Sequence, residues 1–317
     1  MKVVTGVAER AYGALWELRR HAYARGLLRP QRVQARVVSV GNLTVGGTGK
    51  TTLTLHLARE ARARGIDCAV VCRRYRPGPK GEGDEERMYR ALLPPASVFA
   101  GASKRDLARE AAPRHPLVLV DDGFSHWGLE RDLDLVLLEA ADPFGGGRLL
   151  PAGRMREPRR ALQRASFVVL TRLAPDDDPL AAIDRVRPWA PGARFAAGRH
   201  QVTRVARADG VPLPPGAAVW VLTATGNPEA VAASALESGF EVRGRAFRRD
   251  HHWFRAAEIE AVRREATAAG ALLLVTSKDA VRWPLAATRD YAVIEVGWRW
   301  LAGGDELERA VFVGGEG

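Results

Sequence analysis

Short apolar runs, rich in leucine and β-branched side chains, alternate with stretches of helical periodicity through much of the chain. The first runs are Cys68–Cys72, Leu117–Val120, Leu135–Leu138 and Phe167–Leu170. Helical stretches between them include Lys104–Ala112 and Pro158–Ala165. Such alternation is typical of βαβ units, so this part of the chain predicts a parallel sheet covered on both faces.

A second series of elements follows a change in sequence texture near Pro188–Gly198. We predict strands at Val219–Thr223, Leu272–Thr276 and Tyr291–Val296, and helices at Pro228–Ser238 and Ala256–Ala269. The two series together predict an α/β fold with two α/β/α lobes. The first lobe would contain a doubly wound parallel sheet, and the second would be smaller.

The N-terminal leader has a helical pattern of its own. Apolar residues fall on one face at Val4, Val7, Ala11, Ala14, Leu15 and Leu18, with Tyr12 and Trp16 flanking them. One prediction is a helix that lies on an anionic membrane surface, with basic residues toward the headgroups. The alternative is an amphipathic helix docked on the protein's own core. No apolar run approaches the roughly 20 residues of a membrane span, and the leader lacks the features of a cleaved signal peptide.

Composition and charge add to this picture. The chain has 317 residues and is 46% hydrophobic, which predicts about two folded domains. Its net charge is +11, and residues 1–36 hold eight basic side chains against two glutamates. Two cysteines, Cys68 and Cys72, would lie about 13 Å apart on one strand, beyond the reach of a disulfide. We therefore expect buried thiols in a reduced, cytoplasmic protein.

A strand at Val37–Val40 leads directly into a glycine-rich turn that ends in Gly-Lys-Thr, the layout of a phosphate-binding loop. The residues predicted to bind a nucleoside triphosphate are Thr44, Val45, Gly46, Gly47, Thr48, Gly49, Lys50, Thr51 and Thr52. Backbone N–H groups would wrap the polyphosphate, and Lys50 would reach its β/γ end. The following helix adds the positive end of its dipole. The first lobe is therefore predicted to be of the P-loop NTPase type, although Thr44 stands where the strict motif has glycine.

Two carboxylates follow another apolar strand. Leu117–Val120 ends in Asp121 and Asp122, and parallel strands bring such ends to the same edge of the sheet as the loop. Carboxylates there, together with the hydroxyl of Thr51, are suited to Mg²⁺ that bridges the β- and γ-phosphates. We predict a metal site formed by Thr51, Asp121 and Asp122.

Further motifs follow in a fixed order. They are Gly41–Thr51, Asp121–Phe124 with His126, Arg131–Asp132, Leu149–Gly153, Arg156–Pro158, Gly226–Pro228, Asp250–His252, and Thr276 with Lys278–Val281. In this order they resemble the tetraacyldisaccharide 4'-kinase family of lipid A biosynthesis. The likeness runs from the basic leader to about residue 283.

The resemblance implies an enzyme that transfers the γ-phosphoryl group of ATP, with Mg²⁺ as cofactor, to the 4'-hydroxyl of a tetraacylated glucosamine disaccharide 1-phosphate. It also implies a peripheral protein at the cytoplasmic face of the bacterial inner membrane. The partners would be the acylated disaccharide lipid and an anionic membrane surface, with no nucleic acid and no obligate protein partner. The predicted organisation is a basic membrane-surface helix over residues 1–30, a P-loop nucleotide-binding kinase domain over residues 31–195, and a smaller α/β lobe over residues 196–317.

The resemblance also assigns roles to residues outside the loop. It implies that Asp84 is the catalytic base and is paired with His251, while Lys50 takes part in catalysis from the loop. The two partners of the pair would then lie in different lobes. The family motifs further imply a substrate site formed by Arg73, Tyr75, Glu85, His126 and Arg156.

Residues 148–172 contain seven arginines against one glutamate. One interpretation is recognition of phosphate groups through bidentate arginine contacts; the other is a solvated helix face, which applies best to Arg159, Arg160 and Arg164. Some positions differ from the family pattern. Arg74 stands where glycine precedes the tyrosine, Ser125 replaces a glutamine, and Arg154-Met155 replaces Pro-Leu.

Two other functions stay open at this point. A GTPase-like switch or metallochaperone would share the loop and the aspartates, and Ser277–Asp279 faintly resembles a guanine-reading element. Equal use of ATP and GTP would favour it. A nucleic-acid-binding protein would fit the pI of 10.4, but the chain lacks a basic groove interleaved with aromatic residues.

Overall fold

The computed structural model describes residues 2–74, 81–174, 176–284 and 286–313. Its helices are α1 (Lys2–Ala24), α2 (Lys50–Ala63), α3 (Asp84–Leu92), α4 (Lys104–Ala111), α5 (Pro179–Asp184), α6 (Pro228–Glu237), α7 (Ala256–Ala268), α8 (Ser277–Ala280) and α9 (Gly304–Phe312). Short 3-10 helices lie at Pro95–Ser97, Gly145–Gly147, Arg159–Arg164 and Arg187–Trp189.

The strands are β1 (Arg36–Asn42), β2 (Cys68–Arg73), β3 (Val98–Gly101), β4 (Leu117–Asp121), β5 (Leu133–Glu139), β6 (Phe167–Thr171), β7 (Arg194–Arg207), β8 (Ala218–Thr223), β9 (Glu241–Phe247), β10 (Leu272–Thr276) and β11 (Tyr291–Ala302). The chain forms two compact units. Unit 1 comprises the described residues of Met1–Arg73, Leu93–Arg199 and Trp298–Gly317, and unit 2 those of Arg74–Leu92 and His200–Gly297.

In unit 1 the strands follow the order β3-β2-β4-β1-β5-β6-β7. Strand β1 pairs in parallel with β4 on one side and with β5 on the other, and Val40 is in register with Asp121 and Leu135. The sequence order of the strands reverses around β1. In open α/β sheets, ligands bind beyond the carboxyl ends of the strands at such a reversal. The segment after Asn42 therefore begins at the expected place for a ligand.

The middle strands of unit 1 are buried along nearly their whole length, as expected for parallel strands covered on both faces. In β4 all five residues are buried, and in β1 only Arg36 is partly exposed. One buried cluster combines Val37, Val118 and Val120 with Ala108 and Ala111 of α4. Another surrounds Val136, Val168 and Leu170 on the β5 and β6 side.

Unit 2 shows how alternation along a strand produces three layers. Val219 and Val221 of β8 lie in one buried cluster with Ala232 and Ala235 of α6. The next residue of β8, Leu222, lies in a different cluster with Ile259 and Val262 of α7. Successive side chains of a strand point to opposite faces, so α6 and α7 cover opposite faces of a sheet ordered β11-β10-β8-β9.

The predicted α/β class with a mostly parallel sheet is confirmed, and the predicted strands all appear with bounds within a few residues. The sequence patterns missed β3, β7 and β9. The segment predicted as a helix at Pro158–Ala165 is instead a 3-10 helix at Arg159–Arg164.

The two units differ from the predicted linear domain boundaries. Helix α3 groups with unit 2, where Arg87 Nη1 donates to the Val281 carbonyl at 2.8 Å. The C-terminal α9 groups with unit 1, where Arg36 binds the carbonyls of Ala310 and Val311.

Helix α1 has two distinct faces. Trp16 is 9% exposed, its indole N–H donates to Glu157 Oε2 at 3.0 Å, and its ring meets Trp127 edge to face. On the other side Leu15 and Leu18 are 66% and 68% exposed. The aromatic face of α1 thus packs on the protein, while the aliphatic side chains on the other face are exposed. Across the part of the chain that the structure describes, no helix is long and apolar enough to cross a membrane.

Both cysteines are buried and free, as expected. Burial, with a smaller contribution from Asp67, raises the pKa of Cys68 to about 12. This thiol is therefore an unreactive part of the core.

Candidate functional site

The phosphate loop lies between the end of β1 and the start of α2. Gly46 and Gly49 have φ values of 126° and 94°, a region that residues with a Cβ rarely adopt. These two glycines allow the chain to turn tightly and enter α2 at Lys50. The loop is also tied to the strand before it, because Asn42 Nδ2 donates to Thr48 Oγ1 at 3.1 Å within a buried pair. All the predicted nucleotide contacts, Thr44–Thr52, lie on the segment between the end of β1 and the first turn of α2.

Lys50 faces the carboxylate that follows β4. Its Nζ lies 3.7 Å from Asp122 Oδ1. Arg156 donates to both oxygens of the same carboxylate, at 2.8 Å and 2.9 Å, and also to Asn42 Oδ1. Burial alone would raise the pKa of Asp122, but Lys50 and Arg156 hold it well below its usual range. Asp122 is therefore an ionised carboxylate held beside the phosphate loop by Lys50 and Arg156.

Asp122 also adopts a left-handed backbone, with φ of 53°. The buried ammonium of Lys104 donates to its carbonyl at 2.8 Å. Lys104 lies in the first turn of an amphipathic helix, a position that predicts solvent exposure, so its burial could not be foreseen. Nothing in the sequence marked Lys104 as part of this site, and Asn42 was predicted only as a member of the Gly41–Thr51 motif, without a role of its own.

The predicted metal ligands are only partly equivalent. Thr51 Oγ1 donates to Asp121 Oδ2 at 3.3 Å, and Asp121 is 3% exposed. A hydroxyl and a carboxylate beside a phosphate loop fit Mg²⁺, which takes one or two protein oxygens and completes its shell with phosphate and water. Asp122 is committed to Lys50 and Arg156. Within the described residues no group of three or more His, Cys, Asp or Glu side chains is arranged to hold a metal ion.

His126 lies near this cluster on the turn after β4. Its backbone N–H donates to the Gly123 carbonyl at 2.9 Å. Burial lowers the pKa of His126 to about 4, and the nearby charges of Lys104 and Arg73 act in the same direction. The imidazole is therefore neutral at pH 7. Arg73 ends β2 with an exposed side chain, and Tyr75 lies outside the described residues.

Unit 2 contains a separate cluster around Asp84, the first residue of α3. His251 Nδ1 lies 2.8 Å from Asp84 Oδ2, and His251 has a left-handed backbone with φ of 65°. Lys278 Nζ lies 3.7 Å from the same oxygen, and the fully buried Arg282 approaches it to 4.0 Å. The predicted pair between Asp84 and His251 is thus formed, and Glu85 follows it on α3 with its N–H bonded to Asp84 Oδ1 at 3.0 Å.

Electrostatics around Asp84 favour its ionised form. Burial raises its pKa, but the hydrogen bond to His251 and the charges of Lys278 and Arg282 outweigh this and lower the pKa from 3.8 to about 2. A buried carboxylate with an oriented imidazole can accept a proton from a bound hydroxyl. The expectation that the two partners belong to different lobes is corrected here. Both lie in unit 2, because α3 packs with that unit although it follows β2 in the chain.

Asp279 has a structural role. Its carboxylate accepts from Thr223 Oγ1 at 2.7 Å, from the Ala224 N–H at 2.9 Å and from Arg282 Nη2 at 2.7 Å. It also caps α8 together with Thr276. An aspartate engaged in this way is fully used within the protein, so the faint likeness of Ser277–Asp279 to a guanine-reading element has no support.

The arginines of residues 148–172 mostly bind other parts of the protein. Their partners are Glu9 for Arg148, the Val45 carbonyl for Arg154, Asp122 for Arg156, the Phe144 and Trp189 rings for Arg159, Glu17 for Arg160, Glu157 for Arg164, and Glu139 for Arg172. Arg74, unexpected beside the tyrosine motif, forms a bidentate pair with buried Glu86 at 2.8 Å and 2.9 Å. The high number of arginines in residues 148–172 is therefore explained at least as well by contacts within the protein as by phosphate recognition.

The family model for tetraacyldisaccharide-1-P 4'-kinase matches residues 2–311. The tetraacyldisaccharide 4'-kinase of Anaeromyxobacter sp. (strain K) is 38% identical over 338 residues, which cover 96% of this chain and 88% of that protein. The protein of the same name from Chlorobaculum parvum is 30% identical over 331 residues, with 95% and 92% covered.

A solved structure shares the fold. It is described as the "apo" form of LpxK from Aquifex aeolicus in complex with ATP, and it matches with a TM-score of 0.75 over 98% of both chains at 22% identity. The predicted α/β fold is confirmed by this likeness.

Proposed function

The chain belongs to the tetraacyldisaccharide-1-P 4'-kinase family, and from this premise we propose that it transfers the γ-phosphoryl group of ATP to the 4'-hydroxyl of a tetraacylated disaccharide 1-phosphate in lipid A biosynthesis. The observation that carries the proposal is the family match over nearly the whole chain, together with a phosphate loop whose Lys50 and Thr51 face Asp122 and Asp121. This arrangement belongs to enzymes that transfer phosphoryl groups.

The residues of unit 1 would bind the nucleotide. Backbone N–H groups of Gly46–Thr51 cradle the β-phosphate, and Lys50 contacts the β/γ end. Mg²⁺, when bound, would be held by Thr51 and Asp121 and would supply positive charge to the phosphates. Asp122 keeps Lys50 and Arg156 in place at the loop, so we assign it mainly to positioning. Arg156 has the same role through its bidentate pair with Asp122.

Asp84 is proposed to accept the proton of the attacking hydroxyl. The support is its 2.8 Å contact with His251 and its ionised state. The imidazole fixes the direction of the carboxylate and can share the proton that Asp84 takes up. Arg73, Tyr75, Glu85 and His126 remain proposed substrate contacts. His126 would act there as a neutral hydrogen-bonding group, because its pKa of about 4 leaves it uncharged at pH 7.

We also propose that α1 places the protein on an anionic membrane surface, where an acylated substrate resides. The exposed aliphatic residues Val7, Leu15 and Leu18 form one stripe at helical spacing. Because Trp16 and Tyr12 dock the opposite face, the stripe is presented by a helix that is already formed. The basic residues of the leader would add attraction to anionic headgroups.

The activity is tested by incubating purified protein with Mg²⁺, ATP radiolabelled at its γ-phosphate, and detergent-dispersed disaccharide 1-phosphate. We expect a labelled lipid, no labelling of a 4'-deoxy acceptor, and a strong preference for ATP over GTP. Absence of the labelled lipid, or labelling of the 4'-deoxy acceptor, would contradict the proposal. Equal use of GTP would favour a switch-like NTPase instead.

A further inference from the structure

Two arginines that lie outside the phosphate loop donate hydrogen bonds to its backbone carbonyls. Arg154 Nη2 donates to the Val45 carbonyl at 3.2 Å. Arg172 Nη2 donates to the Gly47 carbonyl. The two carbonyls are two residues apart in the loop, and the arginines come from different parts of unit 1. The loop is therefore held at alternate peptide units by two separate guanidinium groups.

Arg172 is itself anchored. Its Nη1 donates to Glu139 Oε1 at 2.8 Å, and Glu139 ends the neighbouring strand β5. The backbone of Arg172 has φ of 57°, a left-handed conformation uncommon for residues other than glycine. Such conformations persist where the surrounding structure requires a side chain in one particular place. Here the requirement is the bridge from Glu139 to the loop.

Peptide geometry connects these contacts to nucleotide binding. In a trans peptide unit the C=O and the N–H point in opposite directions. The Val45 carbonyl belongs to the same unit as the Gly46 N–H, and the Gly47 carbonyl to the same unit as the Thr48 N–H. Holding both carbonyls toward the arginines directs both N–H groups the other way. N–H groups at these loop positions are those that cradle the phosphates of a bound nucleotide.

The rest of the loop is consistent with this. The Val45 N–H donates to the Arg154 carbonyl at 2.8 Å, so Arg154 binds Val45 through both its backbone and its side chain. Gly46 has the φ of 126° that lets successive peptide units alternate in direction. A glycine-rich segment has a large conformational freedom to lose, and preorganising it before the ligand arrives reduces the cost of binding.

We propose that Arg154 and Arg172, with Glu139 as anchor, form a brace that preorients the Gly46 and Thr48 N–H groups for the β-phosphate. Both arginines are positioning residues. The inference rests on nucleotide binding by the loop, as in the proposed function, and it does not involve the lipid acceptor. A direct role, in which Arg172 touches the γ-phosphate, is the competing interpretation.

ADP separates the two roles. The brace acts on groups that contact the β-phosphate, so it serves ADP and ATP equally. Binding of both nucleotides to the full chain would be measured by titration calorimetry in the presence of Mg²⁺. The variants are Arg172→Gly, Arg172→Lys and Arg154→Ala. Glycine is preferred to alanine at 172 because it adopts φ of 57° without strain, so loss of the guanidinium is not confused with misfolding.

We expect Arg172→Gly to weaken ADP and ATP binding by the same factor, about tenfold, since one charge-assisted hydrogen bond to the loop is lost. Arg172→Lys should recover part of this, and Arg154→Ala should weaken both nucleotides less, because Arg154 is exposed whereas Arg172 is half-buried. At saturating ATP, kcat should stay near the parent value. Arg109→Ala is the matched control, since Arg109 is exposed and pairs with Asp106 across one turn of the same helix.

Three results would overturn the brace. The first is parent-like affinity of Arg172→Gly for both nucleotides. The second is a loss confined to ATP, or a fall in kcat with unchanged affinity, since either indicates a direct γ-phosphate contact. The third is a parent protein that binds neither nucleotide, which would remove the proposed function as well. In the first two cases the parent still transfers phosphate to the lipid, so the proposed function would stand.

Discussion

His251 Nδ1 lies 2.8 Å from Asp84 Oδ2, although 167 positions separate the two residues in the chain. Both belong to unit 2, where Lys278 and Arg282 add positive charge around the same carboxylate oxygen. A buried acid in these surroundings is ionised and has a fixed orientation, which is what a base for a sugar hydroxyl requires.

Removing either member of this pair should impair turnover rather than nucleotide binding. We expect Asp84→Asn and His251→Ala each to lower kcat by about 10²-fold or more, the usual contribution of a positioned base. The dissociation constant of ATP should change less than about threefold, since the phosphate loop is untouched. Initial rates and calorimetric titration measure the two effects. Glu265→Gln, an exposed position on α7, is the control, and near-parent turnover of Asp84→Asn would exclude Asp84 as the base.

The ionised Asp84 should make stability depend on pH in the acid range. Its folded pKa of about 2 lies below the unfolded value of 3.8, so on acidification the unfolded chain takes up this proton first. The resulting stabilisation, about 2 kcal/mol, is fully present above pH 4 and is lost as the pH falls toward 2. Urea unfolding of the parent and of Asp84→Asn at pH 7 and below pH 3 measures it. The stability difference between the two proteins should shrink in acid, and a difference independent of pH would contradict the assigned pKa.

The two aspartates at the end of β4 should respond differently to Mg²⁺. Asp121 contacts Thr51, whereas Asp122 is held by Arg156 and Lys50. We expect Asp121→Asn and Thr51→Ala to raise the Mg²⁺ concentration for half-maximal rate by about tenfold or more. Asp122→Asn should lower the rate at every Mg²⁺ concentration, because it frees Lys50 and Arg156. Rates across a Mg²⁺ titration distinguish these patterns, with Thr267→Ala on α7 as control. Equal shifts for both aspartates would assign Asp122 to the metal as well.

Substitutions on the two faces of α1 should have different effects. Those on the exposed face should weaken membrane binding, and those on the docked face should lower stability. Leu15→Glu with Leu18→Glu should lower the fraction bound to phosphatidylglycerol vesicles by about tenfold or more, since each leucine loses its apolar burial in lipid. The urea midpoint should stay near that of the parent. Trp16→Ala should leave the fraction bound to vesicles near that of the parent. It should lower the free energy of unfolding by about 3 kcal/mol, because the buried ring is lost. Vesicle sedimentation and urea unfolding provide both readouts, and unchanged sedimentation of the double variant would refute the surface role.

Much of the site in unit 1 follows from local pattern. The loop after β1 and the aspartates at the end of β4 were predicted to meet, and they do, because parallel strands end at one edge of a sheet. Lys104 was not predicted, and Asn42 was named only within the Gly41–Thr51 motif, without a role. Their positions depend on packing between α4, β4 and β1, and a lysine in the first turn of a helix carries no signal that distinguishes a buried partner from a solvated one.

The amphipathic leader illustrates the same limit. Its periodicity predicted a helix and left two environments open, a membrane surface or the protein's own core. The structure docks the aromatic face through Trp16 and leaves Leu15 and Leu18 exposed. Spacing alone defines the faces of a helix, but which face finds a partner depends on residues such as Glu157 and Trp127, more than a hundred positions away.

By itself, the sequence determined the α/β class, the phosphate loop, the position of the carboxylates beside it and, through ordered motifs, the family. These features arise from periodicity and turn chemistry that act over a few residues. Only the tertiary structure decided that Asp84 and His251 both lie in unit 2, that Arg154 and Arg172 hold the loop, and that most arginines of residues 148–172 have partners inside the protein. Burial and pairing of a charged side chain depend on contacts between segments that are distant in the chain. The local sequence pattern does not contain information about those contacts.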